Sequence, residues 1–156
     1  MNDYETAALV AGGHTFGKSH GAASESYKGP DPEASKLQDQ STGWNSGYKS
    51  GKGVDTISSG IEGAWTQNPT KWDMGYLDCL YGHDWELTKS PAGAHQWTPK
   101  KNGQKIKMVP DAHQKGVLHP PMMQTTDISM KVDPSYGPIT KHFHCLLYTS
   151  PSPRDR

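Results

Sequence analysis

The sequence predicts a mainly α-helical fold with long irregular loops and one small β-hairpin. Three observations carry this. The chain opens on a capping residue followed by apolar positions at helical spacing, and its last third holds two further helical runs. A Ser-Pro-Ala-Gly turn at 90–93 separates two short runs that carry Trp85 and Trp97. Seventeen Gly and twelve Pro interrupt most of the remainder.

At the start, Asn2 or Asp3 can cap a helix, with Glu5 in its first turn. Ala7, Val10, Ala11 and His14 follow at i, i+3, i+4 and i+7, which puts them on one face. Gly12-Gly13 weaken the helix near its end. Residues 21–32 read as a Ser/Gly/Pro loop, and Pro32 to Gln40 as a short helix with Pro in its first turn. Residues 41–59 are Gly-rich and irregular, and Ile57 to Thr66 reads as a weak strand. Thr70 to Tyr81 has helical spacing, with Trp72, Tyr76, Cys79 and Leu80 on a shared face. A hairpin spans Trp85 to Trp97, and Lys100 to Lys107 is polar and exposed. Thr125 to Lys131 and Pro134 to His144 complete the order as two short helices. There is no internal repeat.

The 156 residues suit one domain by length. Only 32% are hydrophobic and the mean hydropathy is −0.83, so apolar burial alone would struggle to offset the entropy of ordering this chain. Five Trp and seven Tyr argue against plain disorder. The expectation is a piece of something larger, ordered by a cofactor or by further chain. A formal net charge of zero and a pI of about 7.1 point away from nucleic acid and anionic membranes. No apolar run approaches the ~20 residues that span a bilayer. Two Cys, at 79 and 145, make neither a disulfide framework nor a metal pair.

The run Gly12-Gly13-His14-Thr15-Phe16-Gly17-Lys18-Ser19-His20-Gly21 supports two readings. Gly12 to Ser19 fits G-x-x-x-x-G-K-[ST], the phosphate-binding loop of nucleotide-binding proteins. Such a loop needs a strand before it and a helix opening at Lys18-Ser19, whose N-terminal amides receive the phosphates. Here the helical run lies before the loop and a poor helix former follows it. Nor does an apolar strand ending in Asp follow: Lys107-Met108-Val109-Pro110-Asp111 comes nearest, and Pro110 spoils it as a strand. The second reading takes His14, at the end of a helix of small residues, as a haem-iron ligand supported by a second-shell acceptor.

The segment from Thr6 to Phe16 resembles the proximal haem-ligand motif of plant-type peroxidases. The wider run Ala11 to Gly21 is similar to the catalase-peroxidase family in particular. So are Gly43-Trp44, Gly51-Lys52-Gly53-Val54-Asp55, Ser59-Gly60-Ile61-Glu62, Trp85 to Ala94, Pro110-Asp111-Ala112-His113 and Thr125-Thr126-Asp127-Ile128-Ser129. The match is collinear from about Asn2 to His144. It implies part of a plant-peroxidase-like haem domain, incomplete here, that binds haem b. It also implies that His14 is the axial iron ligand and that Trp65 and Asp127 complete a proximal triad. Asp127 would accept the Nδ1 proton of His14, fixing its tautomer and raising its basicity. The Trp65 indole would donate to the same carboxylate. Lys18, Ser19 and Ser59 match positions near the haem propionates, Ser19 standing where the family usually has Thr. Without the match, Trp65 would read as core and Asp127 as a helix cap. The other seven His, and Trp44, Trp72, Trp85 and Trp97, are expected to be structural, and Cys79 a buried apolar residue.

The implied activity is disproportionation of hydrogen peroxide, with peroxide-dependent oxidation of small electron donors. The resemblance places the distal Arg, Trp and His, and the covalent Met-Tyr-Trp adduct, upstream of Met1, with Met1 an internal methionine and a second domain downstream. A homo-oligomeric parent is expected, in the cytoplasm, with the periplasm left open. The chain as written is then the proximal-side portion of a haem peroxidase domain, residues 1–144, inactive alone. Residues 145–156 break sharply in composition, and Cys145 to Asp155 back-translates to a string resembling a transposon-end sequencing adapter. The alternative is an ordinary Pro/Ser-rich tail. The competing functions are the phosphate-binding module through Gly12–Ser19 and no function as written.

Overall fold

A computed structural model describes residues 1–21, 23–27, 29–30, 32–37, 47–57, 59–100 and 106–146. Helix α1 covers Asp3–Gly13. Asn2 Oδ1 accepts the Glu5 N–H at 2.9 Å and Glu5 Oε2 accepts the Asn2 N–H at 3.0 Å, a reciprocal cap that starts the helix where the sequence predicts. Its inner face buries Ala7 and packs Val10 and Ala11 against the core, while Leu9 stays exposed. The helix ends at Gly12-Gly13 with His14 as the C-cap residue.

The chain after α1 is extended and lies against residues 59–66. Ser19 and Gly63 exchange backbone hydrogen bonds of 2.9 and 3.1 Å, and Ser59 N–H reaches His20 O at 3.2 Å. The Ser19–Gly63 contact is the one β-bridge in the expected 57–66 strand among the described residues. Gly21 is required at this crossing: a Cβ there would sit 2.6 Å from Ser59 O and 2.7 Å from the Gly60 carbonyl carbon. Of the expected helix at 32–40, the described part holds one 3-10 turn, Pro32–Ala34. Trp44 and the polar residues 101–105 lie outside the described residues.

Helix α2 covers Gly75–Gly82, starting later than its spacing suggests. Asn68 and Asp73 close a turn through a 2.7 Å hydrogen bond, and Asp73 Oδ1 takes the Gly75 N–H at 2.8 Å, so the helix opens only there. Tyr76, Cys79 and Leu80 are buried as expected. Trp72, expected on the same face, precedes the helix and is 70% exposed, its ring tilted over Phe16 at 5.3 Å. At the other end of α2, Lys131 donates to the carbonyls of Leu80 and His83 at 3.1 and 2.7 Å, a cation at a helix C-terminus.

Strands β1 (Trp85–Lys89) and β2 (His95–Pro99) form the predicted hairpin, with Leu87 opposite Trp97. Gly93 takes a positive φ of 86° in its turn. Trp85 is buried and donates to Leu80 O, and Trp97 donates to Thr125 Oγ1. Strands β3 (Val109–Pro110) and β4 (Leu118–His119) make a second short ribbon that the sequence argued against. Pro110 is tolerated because the flanking amides carry hydrogen bonds on its side of the ribbon: the Met108 and Asp111 N–H groups reach His119 O and Val117 O.

Helices α3 (Thr125–Val132) and α4 (Tyr136–Leu146) pack on each other, and α4 packs on α1, where the Tyr4 and Phe143 rings meet edge-on at 4.8 Å. Buried Thr140 bonds Tyr81 Oη at 2.8 Å and donates to Met130 O, tying α4 to α2 and α3. The core gathers Ala7, Trp65, Tyr76, Leu77, Leu80, Trp85, Met122, Met123 and Met130. The architecture is mainly helical with a small hairpin and long loops, as the sequence predicts. No helix among the described residues is long and apolar enough to cross a membrane.

Candidate functional site

Asp127 sits in the first turn of α3 with no solvent exposure. Its Oδ2 accepts the Gln124 N–H at 2.7 Å, so the carboxylate caps its own helix. Its Oδ1 contacts His14 Nδ1 at 2.6 Å and accepts the Tyr76 hydroxyl at 2.9 Å. One side chain thus both caps its own helix and contacts the histidine. A buried carboxylate is tolerated only when hydrogen-bonded, and here three donors from α1, α2 and the α3 entry converge on it.

His14 reaches this carboxylate because the helical phase that buries Ala7 and packs Ala11 carries position 14 onto the same face. Its side chain remains 20% exposed. A carboxylate on Nδ1 makes that nitrogen the donor and leaves the lone pair on Nε2. Trp65 stacks on the imidazole, ring centroids 4.1 Å apart and planes 19° apart. Its indole N–H does not go to Asp127, as the resemblance implies, but to Phe16 O at 3.2 Å. The ring therefore lies along the imidazole face, and the second side-chain donor to the carboxylate is Tyr76.

Sequence reasoning placed Tyr76 only on a helical face shared with Trp72, Cys79 and Leu80. Its hydroxyl is 51 residues from Asp127 in the chain, and no local spacing signals such a contact. The ring also meets His14 edge-on at 5.4 Å. Burial, reinforced by the Asp127 charge and hydrogen bond, raises the Tyr76 phenol far above its ordinary value, so it stays a donor. Nearby Cys79 is likewise pushed up to about 12 by burial, which keeps it a thiol.

The residues expected beside haem propionates form a separate neighbourhood. Lys18 Nζ bonds Glu62 Oε1 at 3.1 Å, and the other Glu62 oxygen takes His20 Nδ1 at 3.1 Å and the Gly21 N–H at 2.7 Å. Gln96 holds Glu62 in place by pairing with its backbone N–H and C=O, each at 3.0 Å. Ser19 is committed through its backbone to Gly63, and Ser59 Oγ donates to Ile61 O at 3.2 Å. Lys18 and Glu62 line a cleft of about 290 Å³ with Gln96, His119 and Met122, whereas His14, Ser19 and Ser59 do not line it. No helix opens at Ser19, and Lys18 faces a carboxylate, so Gly12–Ser19 lacks the strand-loop-helix form of a phosphate loop.

No family model matches the chain. It is 61% identical over 145 residues to a catalase-peroxidase of Koribacter versatilis, 60% over 144 residues to one of Maridesulfovibrio salexigens, and 59% over 143 residues to one of Desulfitobacterium hafniense. Each match covers 92% of this chain but only 19–20% of the relative. The chain thus spans about a fifth of the length of the curated relatives it matches. Identity this high across nearly every described element, around a histidine held by a buried carboxylate, places the chain in the catalase-peroxidase family.

Proposed function

We propose that this chain forms the proximal side of a haem b pocket in a catalase-peroxidase, with His14 as the axial iron ligand. The observation that carries this reading is the 2.6 Å contact of His14 Nδ1 with the fully buried Asp127. The donor set suits the group: an imidazole whose Nδ1 faces a carboxylate presents Nε2 from the end of a helix without being sealed in the core. Bound there, haem would supply the redox chemistry for disproportionation of hydrogen peroxide and for peroxide-dependent oxidation of small donors.

The chain's own residues support and orient. Asp127 holds the Nδ1 proton and raises the basicity of the imidazole, which favours the higher oxidation state of a bound iron. Trp65 lies flat on the ring and limits its rotation. Lys18, Ser19 and Ser59 are assigned to the propionate side. An ammonium has three N–H donors, so the Glu62 contact leaves Lys18 capacity for a second carboxylate. Residues 1–144 are assigned to the haem domain and 145–156 to a translated adapter, an assignment supported by the break in composition after His144.

The test uses a parent enzyme carrying this segment. His14→Ala should lose haem and catalase turnover together; normal haem content and rate in that variant would overturn the reading. Residues 1–156 mixed with haemin should give neither a stoichiometric Soret complex nor peroxide turnover.

A further inference from the structure

Asp127 Oδ1 is shared. It faces His14 Nδ1 at 2.6 Å and Tyr76 Oη at 2.9 Å, while Oδ2 is occupied by the Gln124 N–H. We propose that Tyr76 is a positioning residue of the proximal site: its hydroxyl sets how strongly the Asp127 carboxylate draws on the His14 Nδ1 proton. This rests on His14 being the iron ligand.

Three features support the assignment. The phenol is fixed at its root, because Tyr76 is the second residue of α2 and that helix is started by the Asp73 carboxylate on Gly75. Its ring is buried against the core and edge-on to His14, so the hydroxyl has little freedom to turn elsewhere. And Trp65, the other polar-tipped aromatic at the site, spends its N–H on Phe16 O, leaving Tyr76 as the second side-chain donor to this carboxylate among the described residues. A donor on a carboxylate oxygen withdraws charge from it, and in a dry site this effect is not averaged away by water. The carboxylate then polarises His14 less than it would with one side-chain partner. A less anionic imidazole stabilises the oxidised iron less, so Tyr76 holds the site's potential up.

The experiment compares a haem-loaded parent enzyme carrying this segment with its Tyr76→Phe variant, which keeps the ring and removes one oxygen. Two readouts are taken from the same samples: the iron–histidine stretch of the ferrous form by resonance Raman, and the ferric/ferrous midpoint potential. Tyr76→Phe should raise the stretch frequency and shift the oxidised-to-reduced ratio at fixed potential at least threefold towards oxidised, ~28 mV for a one-electron couple. In an Asp127→Asn background the same change should produce neither shift, because the effect runs through the carboxylate. An unchanged stretch and potential in Tyr76→Phe would overturn the inference while leaving His14 ligation standing. If the unmodified protein shows no iron–histidine stretch, the proposed function fails and this inference with it. Should Tyr76→Phe not retain haem, 3-fluorotyrosine placed at position 76 is a stronger donor of nearly the same size. It should move both readouts the opposite way, and no movement would overturn the inference.

Discussion

Asp127 and Glu62 each gather three donors and each holds a histidine, but they do so in different media. Asp127 is wholly buried and takes His14, Tyr76 and the Gln124 amide; Glu62 is 24% exposed and takes Lys18, His20 and the Gly21 amide. Around Asp127 the protein itself must satisfy every donor. Around Glu62 water can replace any partner that leaves. The first arrangement fixes one imidazole in one tautomer, which is what a metal ligand needs. The second neutralises a basic motif and fastens two extended segments together.

The largest expected effect breaks this comparison most directly. Asp127→Ala would orphan the buried Tyr76 hydroxyl and the part-buried His14 and Gln124 donors at about 1–3 kcal/mol each, so a loss of at least ~3 kcal/mol is expected, with haem loss, in urea unfolding of a parent enzyme. Glu62→Ala removes as many acceptor contacts but should cost only about 1 kcal/mol, since Glu62 itself and its Lys18 and His20 partners reach solvent. Equal losses would show that burial is not what separates the two sites.

Next in size is a backbone test of the Glu62 neighbourhood. The approach of Gly21 to Ser59 and Gly60 leaves no room for a methyl group. Gly21→Ala should therefore cost about 1–3 kcal/mol by overpacking, more than removal of the Glu62 charge. A smaller cost than Glu62→Ala would mean that the carboxylate, and not the close backbone crossing, holds the two segments. The ion pair itself should be weaker still. A double-mutant cycle on Lys18→Met and Glu62→Gln should return a coupling of about 0.2–1 kcal/mol, shrinking with added salt. A coupling above 2 kcal/mol would place this pair in the same class as the Asp127 contacts.

The two sites were unequally legible in the sequence. The helix that carries His14 could be read locally, from the Asn2 cap, the phase of Ala7, Val10 and Ala11, and the two glycines that end it. Asp127 was read as a cap from its position after Thr125-Thr126, and that is half of what it does; its link to His14, 113 residues away, came only through resemblance. Tyr76 could be read only as part of a helical face, because a tyrosine and a phenylalanine leave the same helical spacing, and only the fold shows where the hydroxyl points. The Trp65 bond was misplaced for a related reason: stacking against the imidazole turns the indole N–H towards Phe16 O. At the other site, Lys18 was legible as a cation but its acid was not, since Glu62 lies 44 residues on with no motif joining them. Pro110 shows the limit of a local rule, as an edge strand can spare the one amide that proline lacks.

A third carboxylate extends the comparison to the most solvated case and carries the smallest expected effect. Asp111 accepts the backbone N–H groups of His113 and Gln114 at 2.8 and 2.7 Å and the His119 ring at 2.7 Å, closing the turn between β3 and β4. These hydrogen bonds, the His113 amide foremost, hold its carboxyl well below the usual aspartate range. A folded-state value depressed below the unfolded one means stability that is fully present above the ordinary aspartate pKa and lost as pH falls towards the folded value. The ribbon at residues 109–119 should therefore keep constant amide protection from neutral pH down to about 4 and loosen only below it. Asp111→Asn should remove that pH dependence and loosen the turn at all pH values, with little change in global stability because the His119 partner is 47% exposed. Hydrogen exchange followed by mass spectrometry reads both. Loosening as the pH is raised towards neutral, instead of as it falls below about 4, would assign the turn's order to a charged His119 paired with Asp111 instead. The backbone hydrogen bonds that resemble the Asp127 cap would then not be its source.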